Sequence, residues 1–143
     1  MNPLTREWVD KAEGDYVVAR RELRARRSPN FDAACFHAQQ AAEKYMKACL
    51  HAAGVRFGKT HDLVALLKPL LPIQPEWELL REAARTLTDC AVRFRYPGAS
   101  ADKAKARQAV RDCELIRARA RARLGLAPLK PRTTPNAARR KRR

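Results

Sequence analysis

Residues 31–53 read FDAACFHAQQAAEKYMKACLHAA. Their apolar positions recur at steps of four and three residues, which places them on one face of an α-helix. This stripe consists of Phe31, Cys35, Ala38, Ala42, Tyr45 and Cys49. Because several of these side chains are small, a neighbouring helix can approach closely. The stretch therefore predicts a long helix that ends near Gly54 and packs against other helices.

Outside this stretch the same periodicity occurs in three more segments. They predict helices over 6–26, from 75 or 76 to Pro97, and from about 101 to 124, and a short helix is expected over 61–68. Thr5 and Thr60 are the expected caps of the first and the short helix. The predicted inner faces comprise Trp8, Ala12, Tyr16, Ala19 and Leu23; Trp77, Leu80, Ala84, Leu87, Ala91 and Phe94; and Ala109, Cys113, Ile116 and Ala120. The fold class expected is all-α, an up-down four-helix bundle with one additional short helix.

The charge of the chain is strongly asymmetric. The 143 residues contain 31 Lys and Arg against 15 Asp and Glu, a formal net charge of +16. Residues 125–143 contain no acidic residue and carry seven of these sixteen charges. We expect a helical domain over 1–124 and a basic disordered tail over 125–143. A field of this sign attracts polyanions such as RNA or DNA.

Several classes of protein are disfavoured by composition. No apolar run reaches the roughly 18 residues that a membrane span requires, and the N-terminus shows no signal-peptide pattern. The four cysteines form no CxxC pair, so we expect reduced core thiols, no metal site and a cytoplasmic protein. No motif for a cofactor is present, and no cofactor is expected.

Three segments carry a resemblance to a known family. They are FHAQQAAEKYMKA at 36–48, KTHDL at 59–63 after Gly54, and RFRYP at 93–97, preceded by Trp8, Ala12 and Asp15 near the start of the chain. Together they resemble the HEPN family, the higher eukaryote and prokaryote nucleotide-binding domain. The resemblance covers about residues 4–121 and implies a HEPN-like four-helix bundle with an extra short helix.

The resemblance also has implications for function. HEPN domains usually act as homodimers, and many are encoded beside a minimal nucleotidyltransferase as the toxin half of a toxin–antitoxin pair. Active members are metal-independent ribonucleases with an Arg-x4-6-His motif. Here Arg93 and Arg95 are followed by Tyr96 and Pro97, and no histidine occurs after His61. The resemblance therefore implies fold and dimerisation more than nuclease activity.

The first candidate binding group lies on the second helix. His37, Gln40 and Lys44 share one helical face and would form a polar groove; the alternative is a solvated or dimer-facing stripe. Ribonuclease chemistry without a metal requires a base, an acid and phosphate-binding cations, so His37 is also a weak catalytic candidate. His51 is expected to be ordinary surface, and His61 to have a structural role near the short helix.

The second candidate group follows the fourth helix. Arg93 and Arg95 can bind phosphate, and both are weak catalytic candidates, while Tyr96 can stack on a base. The alternative is an ordinary exposed helix end.

Three functions remain open at this point. The first is a nucleotide- or RNA-binding module that acts as a dimer with a nucleotidyltransferase partner. The second is a toxin ribonuclease that uses His37 or His61 with Arg93 or Arg95. The third is a helical adaptor that binds another protein and no nucleotide.

Overall fold

The computed structural model of the chain describes residues 1–127 and contains no strand within that range. Its α-helices are α1 (Pro3–Arg24), α2 (Phe31–Ala52), α3 (Leu63–Leu67), α4 (Arg81–Arg93) and α5 (Lys103–Arg123). Two 3₁₀ segments, Lys68–Leu70 and Pro75–Leu80, lie between α3 and α4. The all-α prediction, a bundle of long helices with one short helix, is confirmed. The predicted tail lies outside the described residues, apart from 125–127.

The helix starts differ from prediction in detail. Asn2, not Thr5, caps α1: its side chain accepts a hydrogen bond of 2.8 Å from the N–H of Leu4, with Pro3 in the first turn. Thr5 is buried instead, and its hydroxyl lies 2.6 Å from Nδ1 of His51. A proline at the first helical position has no N–H to satisfy, so the helix can begin earlier than Thr5.

Three later helices also begin a few residues after the positions that the sequence predicts. Asp62 caps α3, and Asp102 caps α5, each by accepting backbone N–H groups of the first turn. Residues 75–80 form a 3₁₀ segment, and the α-helix begins only at Arg81. The predicted hydrophobic stripe nevertheless continues through the 3₁₀ segment and α4: Trp77, Leu80 and Leu87 are all buried.

Helix α2 is the centre of the bundle and packs against α1, α3, α4 and α5. Five of its alanines are fully buried, as small residues at close helix contacts should be: Ala34, Ala38, Ala41, Ala42 and Ala48. This central position explains an error in the prediction for its polar face. The helical spacing of the sequence predicts Glu43 and Lys47 on an outer face, with His37, Gln40 and Lys44, but they are only 3% and 8% exposed.

The remaining core follows the predicted stripes. Tyr16 on α1 and Ile116 on α5 are buried, while Trp8 is only partly buried and packs edge-on against Phe57, with 6.1 Å between ring centroids. The four cysteines are free, three of them buried and Cys90 partly so. Within residues 1–127 no helix combines the length and hydrophobicity that crossing a membrane requires.

Candidate functional site

Asp15 on α1 joins two of the predicted binding residues on α2. Its Oδ1 lies 2.9 Å from Nδ1 of His37, and its Oδ2 accepts a hydrogen bond from Nζ of Lys44. All three side chains are partly exposed. When the imidazole is neutral, its Nδ1–H donates to Asp15, which leaves Nε2 as an acceptor. No other group among the described residues hydrogen-bonds His37, so Nε2 is available to a ligand.

Arg95 reaches the same region from the loop after α4. Its guanidinium carbon lies 5.4 Å from the centre of the Phe36 ring. The His37 ring contacts the same phenyl ring edge-on, with 5.2 Å between centroids and 82° between planes. We call Asp15, Phe36, His37, Lys44 and Arg95 the His37 cluster. It combines a histidine oriented by a carboxylate with two cationic side chains, and groups of these kinds can bind a phosphate.

The other three candidates do not join this cluster directly. Gln40 donates a 2.8 Å hydrogen bond to the side chain of its neighbour Gln39. Arg93 lies over the ring of Phe94, at 5.7 Å, and lines a pocket between α4 and α5. Tyr96 is 64% exposed. Arg93 and Arg95 therefore point to different surfaces, although both were assigned to one cluster from the sequence.

A second polar network joins Glu43 and Lys47 of α2 to His61, a connection that the sequence does not indicate. Glu43 receives a 3.1 Å hydrogen bond from Lys47, and its other oxygen lies 2.8 Å from Nδ1 of His61. Gln39 donates to both Glu43 and the backbone carbonyl of His61. Lys47 also lies 5.7 Å from the Trp8 ring. These bonds fix the loop before α3 onto α2, which agrees with the structural role expected for His61.

A third network joins α1, α2 and α5. Arg117 forms a two-point contact with Glu13, at 2.6 and 3.2 Å, and the hydroxyl of Tyr45 also donates to Glu13. Burial opposes ionisation of Glu13, but hydrogen bonds from Arg117 and Tyr45 and the charges of Arg117 and Arg121 outweigh it, so the pKa of Glu13 lies below its usual value. Burial and the bond to Glu13 raise the pKa of Tyr45. The network holds three helices together.

Sequence reasoning identified His37, Lys44 and Arg95 but gave no role to Asp15 or Phe36 in their arrangement. The only local indication for Asp15 is its position directly before Tyr16, a buried residue of the α1 stripe. Its partner lies 22 residues away, so the pairing depends on how α1 and α2 pack. In the part of the chain that the structure describes, no group of histidine, cysteine or acidic side chains is arranged to hold a metal ion.

The fold and these side chains define an all-helical bundle with a cationic surface and a carboxylate-oriented histidine between its first two helices. The family model for the HEPN domain matches residues 5–123, and the chain belongs to the HEPN family. The chain is also similar to TT1696 from Thermus thermophilus, a protein of known crystal structure. That similarity has a TM-score of 0.68 and 27% identity, and it covers 83% of this chain and 97% of the other. No curated protein matches the chain.

Proposed function

We propose that this HEPN domain binds an anionic nucleotide or RNA at the His37 cluster, and that it does so as a homodimer. The observation that carries the proposal is the Asp15–His37 pair, with Lys44 bonded to Asp15 and with Arg95 against Phe36, the ring that also contacts His37. The formal charge of +16 adds a long-range attraction for phosphate that is independent of sequence. The family assignment supports the same ligand class.

The binding experiment compares two arginines of equal charge. Arg95→Ala removes the cation beside Phe36, whereas Arg107→Ala removes an exposed cation on α5. Fluorescence anisotropy with a labelled single-stranded RNA should show a several-fold larger loss of affinity for Arg95→Ala. Equal losses in the two variants would reduce the proposal to general electrostatic attraction, and no binding at low salt would refute it.

We further propose that the dimer works with a minimal nucleotidyltransferase in a toxin–antitoxin-like pair, as the family assignment favours. Light scattering after size exclusion should give twice the chain mass of 16.2 kDa. Expression of the chain should slow growth, and expression of a nucleotidyltransferase encoded beside it should restore growth. A monomer at micromolar concentration would count against the dimer. Growth unaffected by expression would count against the toxin–antitoxin-like role.

One observation favours a second function, metal-independent ribonuclease activity. The Asp15 carboxylate orients His37, so Nε2 is suited to accept the proton of a 2′-hydroxyl. A general base of this kind contributes about 10²- to 10⁴-fold to a rate. Under this hypothesis the chain cleaves RNA in EDTA and His37→Asn removes cleavage while RNA binding persists. Intact RNA after prolonged incubation would refute ribonuclease activity and leave binding as the function. A helical adaptor, the remaining alternative, would instead bind a protein, and this binding would tolerate charge reversal at Arg93 and Arg95.

A further inference from the structure

Two of the four cysteines meet where α2 packs against α4. Cys35 of α2 is fully buried, and Cys90 of α4 packs against the same core while remaining partly exposed. The two thiols are hydrogen-bonded to each other. Because a disulfide requires neighbouring sulfur atoms on segments whose backbones lie close together, this pair is positioned to form one.

Access to this pair is from the side of Cys90. A pocket of about 400 Å³ opens between α4 and α5, and Cys90 lines it. We call this opening the α4/α5 pocket. Cys35 does not line it and is completely covered. A small oxidant can therefore reach the sulfur of Cys90 first, while Cys35 lies behind it as a second thiol.

The hydrogen bond also makes the two thiols chemically different. Cys35 donates it, so the bond raises the pKa of Cys35, and burial raises that pKa further. The same bond lowers the pKa of Cys90, with help from the charge of Lys105. Burial and the charges of Asp32 and Asp112 oppose this second shift but are outweighed. Since the thiolate is the nucleophilic form of cysteine, Cys90 is the reactive sulfur of the pair.

The other two cysteines lack both features. Cys49 and Cys113 are fully buried, and neither lines the α4/α5 pocket. Burial raises the pKa of Cys49 to about 12 and also raises the pKa of Cys113. Both thiols are therefore protonated and inaccessible at neutral pH, and oxidation of the folded chain should be selective for the first pair.

We propose that Cys90 is a peroxide-reactive thiol and that Cys35 converts its oxidised form into an intramolecular Cys35–Cys90 disulfide. This chemistry is independent of the nucleotide or RNA binding proposed above. Because Cys35 directly precedes Phe36 in the sequence, the disulfide would tie α4 to the part of α2 that carries the His37 cluster.

The reaction has two steps. The Cys90 thiolate attacks one oxygen of hydrogen peroxide, the O–O bond breaks, and a sulfenic acid and hydroxide form. Cys35 then attacks the Cys90 sulfur: the S–S bond forms, the S–O bond breaks, and the proton of Cys35 leaves with the hydroxyl group as water. The hydroxide of the first step takes up the proton that Cys90 released on ionisation. Two thiols and one peroxide thus become one disulfide and two water molecules, as two electrons pass from sulfur to oxygen.

The test is peptide mapping by mass spectrometry after the folded, reduced full chain is exposed to a small molar excess of hydrogen peroxide. The unaltered protein should lose the mass of two hydrogen atoms, and its tryptic peptides 28–44 and 86–93 should be joined through Cys35 and Cys90. Cys35→Ala should stop the reaction at a Cys90 sulfenic acid, which dimedone traps, whereas Cys90→Ala should abolish both products. Cys113→Ala is the control and should form the disulfide as the unaltered protein does.

The result for the unaltered chain stands whether or not each variant folds. Disulfides that include Cys49 or Cys113 would overturn the inference, because they require the core to open before oxidation. A disulfide between two copies of the chain would overturn it as well, since Cys35 would then not be the partner of Cys90. So would thiols that stay reduced until the protein is unfolded in urea.

Discussion

Nδ1 of His37 lies 2.9 Å from Oδ1 of Asp15, although the two residues are 22 positions apart in the sequence. This relationship requires α1 and α2 to pack as antiparallel neighbours. The reversal between them occurs at Ser28-Pro29-Asn30, where Ser28 adopts a positive φ of 46°. The packing of α1 against α2 thus brings Asp15 to Nδ1 of His37 and leaves Nε2 for a ligand.

The first prediction concerns the tautomer of His37. Asp15→Asn replaces a charged acceptor with an amide, so the preference for a proton on Nδ1 should weaken. Long-range ¹H–¹⁵N NMR spectra of the neutral imidazole distinguish the two tautomers directly. Stability should fall by about 1–2 kcal/mol, as expected for loss of charged hydrogen bonds. An unchanged tautomer ratio, with exposed Asp10→Asn as the control, would contradict this role of Asp15.

The second prediction concerns acid stability. The pKa of Glu13 is below its usual value near 4.5, so the folded chain binds fewer protons at this site than the unfolded chain. The resulting stabilisation is present above about pH 4.5 and is lost as pH falls through the lower folded pKa. Glu13→Gln should therefore destabilise the protein more at pH 7 than at pH 3. Urea unfolding across this range provides the measurement, and exposed Glu7→Gln provides the control.

The third prediction concerns the buried pair of Glu43 and Lys47. Lys47→Met leaves the Glu43 carboxylate without its ammonium partner in a site that is 3% exposed, and should cost about 3 kcal/mol. The double variant Glu43→Leu/Lys47→Met should be less destabilised than Lys47→Met alone, because no uncompensated charge remains. Additive losses in chemical denaturation would show that the two side chains do not depend on one another. Exposed Lys59→Met serves as the control.

The fourth prediction concerns packing around α2. Ala42 is fully buried where α2 packs against its neighbouring helices. Ala42→Leu should therefore destabilise the bundle by about 1–3 kcal/mol or more through overpacking. Ala104→Leu makes the same change at an exposed position of α5 and should be near neutral. Thermal unfolding of the two variants compares them directly. A tolerated Ala42→Leu would mean that the helices can separate at no cost.

The sequence predicted features that depend on neighbouring residues better than features that depend on residues far apart in the chain. Periodic apolar spacing is a local property, and it correctly identified the inner faces of α4 and α5. Helix starts were less accurate, because Asn2, Asp62 and Asp102 compete with nearby residues that are equally good caps. Local periodicity could not show that other parts of the chain also cover the polar face of α2.

The candidate site shows the same limit. His37 and Lys44 share a helix face and both contact Asp15, while their role in binding stays a prediction. Arg93 and Arg95 are only two residues apart at a helix end, but they contact different rings, because positions two apart on a helix lie on nearly opposite faces. Their separation depends on packing: Arg95 lies against Phe36 of α2, and Arg93 against the α4/α5 pocket.

The most direct test of the account uses the three histidines as reporters in one sample. His51 is bonded to Thr5 and His61 to Glu43, whereas only His37 lies in the proposed binding cluster. Titration of histidine-labelled protein with a short single-stranded RNA should shift the ring signals of His37 first and most. Shifts confined to His51 or His61, or an unchanged His37 signal at saturating RNA, would contradict binding at the His37 cluster.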